Sequence, residues 1–194
     1  TCGMYWTSTP HQDQWNTGAH QYHFGGALGE MGVGERSSGY AVRPVAVAKN
    51  MISTPHQGET NGHQWVDLGL PSGTKWATCN VGATKPEDVG DYFAWGETRP
   101  KEEYNWETYK WCKGRYDTQT KYCTDSDHGT VDNKSILELS DDAANVNWGG
   151  DWRMPTKEEL DELHTECTWT WTTQNGVKGC KITSKKIVIP YFYL

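Results

Sequence analysis

Closely spaced carboxylates in TDSDHGTVDN, residues 124–133, are the first side chains whose chemistry the sequence suggests. Asp125, Asp127 and Asp132 surround Gly129, whose conformational freedom allows a sharp bend. Calcium takes about six to eight oxygen ligands, so such a loop could wrap a calcium ion. The loop lacks the bidentate glutamate that ends an EF-hand loop, and a solvated acidic loop without metal is the simpler alternative. We predict these three aspartates as candidate calcium ligands and expect no other cofactor.

The histidines and cysteines form no recognisable catalytic or zinc motif. His20 and His23 are spaced as H-x-x-H, but this odd spacing places them on opposite faces of a strand. The six cysteines contain no CxxC pair, which argues against a zinc knuckle. No Ser-His-Asp grouping stands out either. We therefore predict that the protein is not an enzyme.

The six dispersed cysteines instead suggest disulfides and an oxidising compartment. Cys112 and Cys123 flank a short polar loop, and closing it would add about 3 kcal/mol through the entropy of the unfolded chain. Cys79 and Cys167 are a second candidate pair. The alternative is a set of buried, reduced thiols, since free cysteine is common in protein cores.

A polar and aromatic set between residues 10 and 38 follows neither a strand nor a helix period. Binding loops carried by a rigid sheet favour such residue types. An ordinary exposed loop is the alternative. The predicted ligand-binding residues are the apolar anchors Trp15 and Met31 and the polar contacts His11, Gln14, His23 and Glu35.

The composition restricts the possible partners. The chain has 194 residues and a formal charge of -7, with 25 acidic against 18 basic residues. A nucleic-acid partner would require a basic stripe, so none is expected. No apolar run reaches about 18 residues, so no membrane span is predicted, and no signal peptide is visible.

The sequence predicts strands in the first half of the chain, on both sides of a polar linker. HQYHF (20–24) and YAVRPVAV (40–47) are predicted strands, and glycine-rich residues 25–39 are predicted turns and short strands. Residues 48–63 are polar and rich in turn residues, which indicates a linker. Residues 64–82 are typical of a hairpin with a Pro-Ser-Gly turn.

Two helices are predicted in the second half. Residues 140–150 form the first, with Ser140 as its N-cap. Residues 153–167 form the second, where Thr156 and Glu159 have the T-x-x-E spacing of a capping box.

A hairpin and a last apolar strand complete the predicted fold. In CTWTWTTQNGVKGCKIT (167–183), Asn175-Gly176 suits a type I′ turn, and Trp169 and Trp171 share one strand face. We expect both tryptophans to pack in the core. Sheet elements combined with two helices predict the α+β class.

Residues 65–183 resemble the Fibrobacter succinogenes major paralogous domain family. The resemblance rests on WVDLGLPSGTKWATCNVGA, GDYFAWGET, YNWETYKWC, TKYCTDSD, DDAANVNWGGDWRMPTKEELDEL and CTWTWTTQNGV. The segment WRMPTKEELDEL is also similar to one in formylglycine-generating-enzyme-like domains. These similarities imply a C-type-lectin-like fold, with two helices on a twisted antiparallel sheet and long aromatic loops on one side.

The order of the motifs departs from that family. Its closing block, here YWTSTP, YHF and GYAVRPV, precedes the opening block. Either the chain is circularly permuted, or it is a fragment that spans the junction of two tandem domains. In both cases, residues 1–47 are the C-terminal strands and loops, 48–63 the linker, and 64–194 the N-terminal part with the helices. We expect the two parts to dock as one globule, with strand 40–47 paired to strand 65–70.

The resemblance implies a non-catalytic ligand-binding or display domain of an exported bacterial surface protein. Its location would be extracellular or at the cell surface, and its ligand a protein or a glycan. The alternative is a structural repeat or spacer with no ligand of its own. A sulfatase-maturation-like enzyme is a third reading, but the closing segment 4–45 lacks the cysteines which that chemistry requires.

Substitution of Trp15 tests the predicted binding face. Trp15→Ala is expected to weaken ligand binding by at least ~2 kcal/mol and to leave the free energy of unfolding nearly unchanged. Trp171→Ala, as a core substitution, is expected to cost about 3–5 kcal/mol of stability. Ligand titration and urea denaturation measure the two effects. Equal destabilisation by both variants would place Trp15 in the core.

Overall fold

The computed structural model describes residues 2–12, 16–25, 28–47, 56–187 and 191–193. These residues form an α+β fold of strands with two short α-helices, as the sequence predicts. The strands are β1 (Cys2–Pro10), β2 (Gly18–Gly25), β3 (Leu28–Glu35), β4 (Tyr40–Ala41), β5 (Val45–Val47), β6 (Gln57–Thr60), β7 (His63–Asp67), β8 (Thr74–Ala77), β9 (Tyr92–Phe93), β10 (Cys167–Gln174), β11 (Val177–Ser184) and β12 (Tyr191–Tyr193). The helices are a 3₁₀ turn (Leu139–Asp141), α1 (Ala143–Trp148) and α2 (Lys157–Glu166).

The largest sheet has five strands in the order β3-β2-β1-β4-β9. β1, β2 and β3 form an antiparallel meander. β4 runs parallel to β1, with Ala41 opposite Tyr5. The sheet is therefore mixed, whereas the sequence predicted an antiparallel one. β10, β11 and β12 form a second sheet, and β5, β8, β7 and β6 form a third.

β3 is a continuous strand of eight residues, where turns and short strands were predicted. Its glycines suggested turns, but they allow close packing instead. A Cβ on Gly29 would lie 2.3 Å from the Tyr22 hydroxyl, and one on Gly34 would lie 2.6 Å from the Tyr40 ring. Glycine at these positions lets the two aromatic side chains lie across the strand.

The predicted strand 40–47 divides at Pro44 into β4 and β5, which belong to different sheets. β5 pairs with β8, with Val45 opposite Trp76, so the predicted pairing with strand 65–70 is wrong. β7 lies one strand further on, beyond β8. β5 cannot pair with β7 because both edges of β7 are occupied, one by β8 and the other by β6.

β6 also corrects the predicted linker 48–63. Residues 57–60 form this strand and pair with β7 across a two-residue turn. Asn61 and Gly62 have φ values of 51° and 79°, as a type I′ turn requires. The Asn-Gly pair was the overlooked signal for a hairpin. Residues 48–55 of the predicted linker lie outside the described part of the chain.

α1 begins two residues later than predicted. Asp142, rather than Ser140, is its N-cap, and the Asp142 carboxylate accepts the N–H groups of Ala144 and Asn145. The residues before it form the 3₁₀ turn. The helix ends at Gly149, which has a φ of 69°, as predicted.

α2 confirms the predicted capping box. The Thr156 hydroxyl accepts the Glu159 N–H, and the Glu159 carboxylate accepts the Thr156 N–H. Leu160 and Leu163 are buried on the inner face of the helix. The first turn is fixed further by Arg153, which forms an ion pair with Glu159 at 2.6 Å.

The predicted β10–β11 hairpin is confirmed, with Asn175 and Gly176 at positive φ in its turn. Trp169 packs against the core, but Trp171 is 38% exposed. The prediction of a core Trp171 is therefore wrong, because this ring lies at the rim of the core, edge-on to Phe24 with 6.0 Å between ring centres. Trp76, which is 0% exposed, replaces Trp171 as the core control for the Trp15→Ala experiment.

Two buried clusters form the core, and both contain residues from the N-terminal and C-terminal parts of the chain. The first joins Tyr22 and Val45 to Leu163. The second joins Trp6 to Trp95. The indole N–H of Trp6 donates to the Phe93 carbonyl at 2.8 Å, so the contact between the two parts is polar as well as apolar.

Neither predicted disulfide forms. The thiol of Cys112 donates to the Trp106 carbonyl at 3.0 Å, and that of Cys123 donates to the Asp125 carbonyl at 3.0 Å. Each thiol is therefore satisfied within its own turn. All the cysteines whose side chains are described are free: Cys79, Cys112, Cys123, Cys167 and Cys180.

The two core thiols are expected to be chemically inert. Burial raises the pKa of Cys167 and of Cys180 to about 11. The thiolate fraction at pH 8 is then about a hundredfold below that of an ordinary thiol. Iodoacetamide should modify the half-buried Cys79 and Cys112 much faster than this pair, as measured by peptide mass spectrometry. In urea, all four should react alike, and equal rates in the native protein would contradict the buried placement.

Candidate functional site

An open cleft of roughly 310 Å³ lies at the end of β3, lined by Thr17, Glu35, Trp106 and Tyr116. Tyr116 is 45% exposed, and Glu35 is also exposed. The Glu35 carboxylate makes no hydrogen bond or ion pair with another described residue. Two aromatic rings and a charged acceptor therefore face solvent together, which is the usual make-up of a small-ligand site.

Arg36, the residue after Glu35, lies beneath this cleft and is 1% exposed. Its guanidinium donates to the Gly18 carbonyl at 2.9 Å and to the Tyr122 carbonyl at 2.9 Å. It also lies 4.9 Å from the centre of the Trp95 ring, a cation–π distance. One side chain thus joins the β2–β3 hairpin to the loop that precedes the helices.

The same arginine fixes two residues that line the cleft. Its backbone N–H donates to the Thr17 carbonyl at 2.9 Å. Its guanidinium also donates to Gln119 Oε1 at 3.3 Å, and Gln119 Nε2 donates to the Tyr116 carbonyl at 3.0 Å. Thr17 and Tyr116 are therefore held relative to Glu35 by a short hydrogen-bonded chain.

Trp106 is positioned by a tight turn of its own loop. Asn105 Oδ1 accepts the Thr108 N–H at 3.0 Å. The Trp106 ring packs edge-on against Tyr109, with 5.4 Å between ring centres. Tyr109 is buried, and its hydroxyl donates to the Trp95 carbonyl at 2.8 Å. Burial raises the pKa of Tyr109, so the phenol stays a neutral donor that anchors the loop.

The predicted ligand-binding residues do not converge on one site. Glu35 lines the cleft. His11 packs edge-on against His20, with 5.0 Å between ring centres. Met31 is half-buried against the first core cluster. Met31 lies opposite Tyr22 in the β2–β3 pair, so both side chains are on the same face of the sheet. Side chains alternate along a strand, so His23, the residue after Tyr22, points to the other face.

Gln14 and Trp15 lie outside the described residues, so their predicted role stays a prediction. Thr17, Trp106 and Tyr116 were missed in the sequence. The dense aromatic residues of YNWETYKWC were the available signal, because long aromatic loops are uncommon unless they are functional.

The carboxylates of the acidic loop bind backbone N–H groups. The Asp132 carboxylate accepts the backbone N–H groups of Tyr122 and Cys123, each at 3.0 Å. Asp125 accepts the Asp127 N–H at 2.9 Å. Within the described ranges, no three His, Cys, Asp or Glu side chains form a group that could hold a metal ion. Calcium binding by these aspartates stays a prediction from the sequence.

A second cleft, of roughly 290 Å³, lies where β1, β4 and β9 meet. Its lining includes Met4, Tyr40, Val89 and Tyr92. These walls are mainly apolar and aromatic, and they carry no charged side chain among the described residues. The cleft at Glu35 is the better candidate, because its carboxylate is a charged acceptor that can orient a polar ligand, whereas the second cleft offers tyrosine hydroxyls alone among its described side chains.

Comparison of the chain with protein-family profiles, with curated proteins and with solved structures gives no match. None of the helices in the described part of the chain is long and apolar enough to cross a membrane.

Substitution of Arg36 tests whether it holds the cleft together. Arg36→Met removes the guanidinium hydrogen bonds to the carbonyls of Gly18 and Tyr122, which keep the His11 N–H and the Asn16 side-chain amide as donors. Each hydrogen bond made by a charged group contributes about 1.5–3 kcal/mol. We therefore expect the free energy of unfolding to fall by at least ~2 kcal/mol in urea denaturation. Arg115→Met, which removes an exposed ion pair with Asp117, is the matched control and should change little. Similar stability of the two variants would contradict the assignment.

Proposed function

We propose that this chain is a non-catalytic ligand-binding domain of an exported bacterial surface protein, and that its ligand is a glycan. The observation that carries the proposal is the cleft in which Trp106 and Tyr116 line the same space as Glu35, whose carboxylate has no partner among the described residues. The apolar C–H faces of a sugar ring pack on aromatic rings. Sugar hydroxyls donate to a carboxylate, and such charge-assisted bonds are strong.

The size of the cleft supports a short saccharide. Ligand pockets enclose about 300–1,000 Å³, and this cleft, at roughly 310 Å³, falls at the lower limit. Its open side leaves room for a longer chain to continue into solvent. The ligand segment held in the cleft is therefore about one or two sugar rings.

The residue chemistry supports binding rather than hydrolysis. Glu35 is the single carboxylate among the described residues that line the cleft. Glycoside hydrolysis ordinarily needs a pair of carboxyl groups about 5–10 Å apart. Burial also raises the pKa of Cys167 and Cys180, the opposite of what a nucleophilic thiol requires. Export is proposed on the sequence resemblance alone, because free thiols lend it no support.

A glycan array probed with the labelled protein tests the proposal, followed by calorimetry on the strongest hit. Trp106→Ala and Glu35→Gln are each expected to weaken binding at least ~tenfold, because each removes a central contact of the site. Trp171→Ala is the matched control, since it removes an exposed tryptophan from the β10–β11 hairpin. Circular dichroism establishes that each variant is folded.

Two results would overturn the proposal. Absence of binding to every glycan on the array would favour the spacer module. Equal loss of binding in Trp106→Ala and Trp171→Ala would move the site away from the cleft.

A further inference from the structure

β3 is the outermost strand of the five-stranded sheet and leaves one backbone edge open. It spans eight residues with an unbroken register from Gly18 opposite Glu35 to Gly25 opposite Leu28. A strand of this length at a sheet edge presents a row of backbone donors and acceptors to solvent.

The ladder pattern identifies which groups of β3 point outward. The Arg36 N–H donates to the Thr17 carbonyl at 2.9 Å, so these two residues are a hydrogen-bonded pair. Such pairs alternate along an antiparallel ladder. Gly29, Met31 and Val33 therefore direct their N–H and C=O groups away from β2. No described residue forms a hydrogen bond with those groups.

Among the described residues, this edge lacks most of the usual protection of an edge strand. Natural edge strands are shielded by charged side chains, above all lysine, by proline, by bulges or by a covering element. β3 contains neither lysine nor proline, and its pairing with β2 has no bulge. Val33, in the middle of the strand, is 46% exposed.

The charges on β3 indicate what kind of strand would pair with it. Glu30 and Glu35 are both exposed, and neither carboxylate has an ion-pair partner among the described residues. A second copy of the chain, paired edge to edge, would bring further carboxylates to this acidic strand. Opposite charges across a strand pair stabilise it, and like charges destabilise it. The edge therefore fits a basic strand better than its own copy.

We propose that the open edge of β3 binds an extended, basic peptide segment of a partner protein by β-strand addition. Backbone hydrogen bonds to Gly29, Met31 and Val33 supply affinity, and the two glutamates supply selectivity for lysine or arginine. This goes beyond the proposed glycan cleft, because it uses the strand edge and does not require a saccharide. Failure of one proposal leaves the other standing.

The register defines a specific probe, the peptide acetyl-Thr-Lys-Thr-Val-Thr-Val-Lys-Thr-amide. Antiparallel to β3, its lysines lie opposite Glu35 and Glu30, and its valines lie opposite Val33 and Met31. We expect saturable binding in fluorescence polarisation, weakened by salt because the contacts are partly ionic. The same peptide with glutamate in place of both lysines should bind at least ~tenfold more weakly.

Backbone methylation provides the matched control on the wild-type protein. N-methylation of both valines removes donors that would point at β3, and should weaken binding at least ~tenfold. N-methylation of the threonines that precede the two valines removes donors that point to solvent. The affinity of that second peptide should be within about threefold of the affinity of the unmodified peptide. Equal weakening by both modifications would overturn the proposal.

A substitution in β3 tests the same backbone hydrogen bonds on the protein. Val33→Pro removes an outward N–H and keeps the pairing with β2, since proline is tolerated in edge strands. It should weaken peptide binding at least ~tenfold, whereas Val33→Thr should change it less than about threefold. If Val33→Pro fails to fold, the methylated peptides decide the question alone.

The remaining outcomes are also decisive. On peptide binding, hydrogen exchange should slow at the amides of Gly29, Met31 and Val33, and protection elsewhere would overturn the proposal. No binding of the lysine peptide at millimolar concentration would do the same. Concentration-dependent dimerisation that Val33→Pro abolishes would assign the edge to a second copy instead.

Discussion

The buried guanidinium of Arg36 is the interaction on which the candidate site depends. A charge removed from water is costly unless hydrogen bonds surround it. Arg36 meets this requirement with carbonyl groups from two separate parts of the chain, at Gly18 and at Tyr122. Because these acceptors are far apart in sequence, satisfying one side chain also fixes the β2–β3 hairpin against the aromatic loop.

Other buried polar groups join distant segments in the same way. The Arg43 guanidinium, between β4 and β5, donates to Asn80 Oδ1 at 2.7 Å and to the Ala77 carbonyl at 3.1 Å. Asp142 caps α1 and also accepts the Met154 N–H at 2.9 Å. With strands as short as β4 and β9, backbone ladders alone give few contacts. Buried side-chain hydrogen bonds supply the missing connections between the sheets and the loops.

β3 brings two surfaces close together. Its last residue, Glu35, lines the aromatic cleft, and the backbone groups on its outer edge have no hydrogen-bond partner in the described part of the chain. Glycines 29 and 34 keep the strand flat against Tyr22 and Tyr40. A substitution that adds a Cβ there would displace an aromatic ring and move the strand, and with it both surfaces.

Elements with local signals were predictable from the amino-acid sequence. The Thr156–Glu159 capping box and the Asn175-Gly176 turn act within a few residues, so short-range rules predicted α2 and the β10–β11 hairpin correctly. The pairing of the strands and the set of aromatic residues that share a cleft follow from long-range packing. β5 pairs with β8 because β6 occupies the edge of β7, and Trp106 meets Glu35 through loop packing. Both outcomes depend on residues distant in sequence competing for the same partners, which no local pattern records.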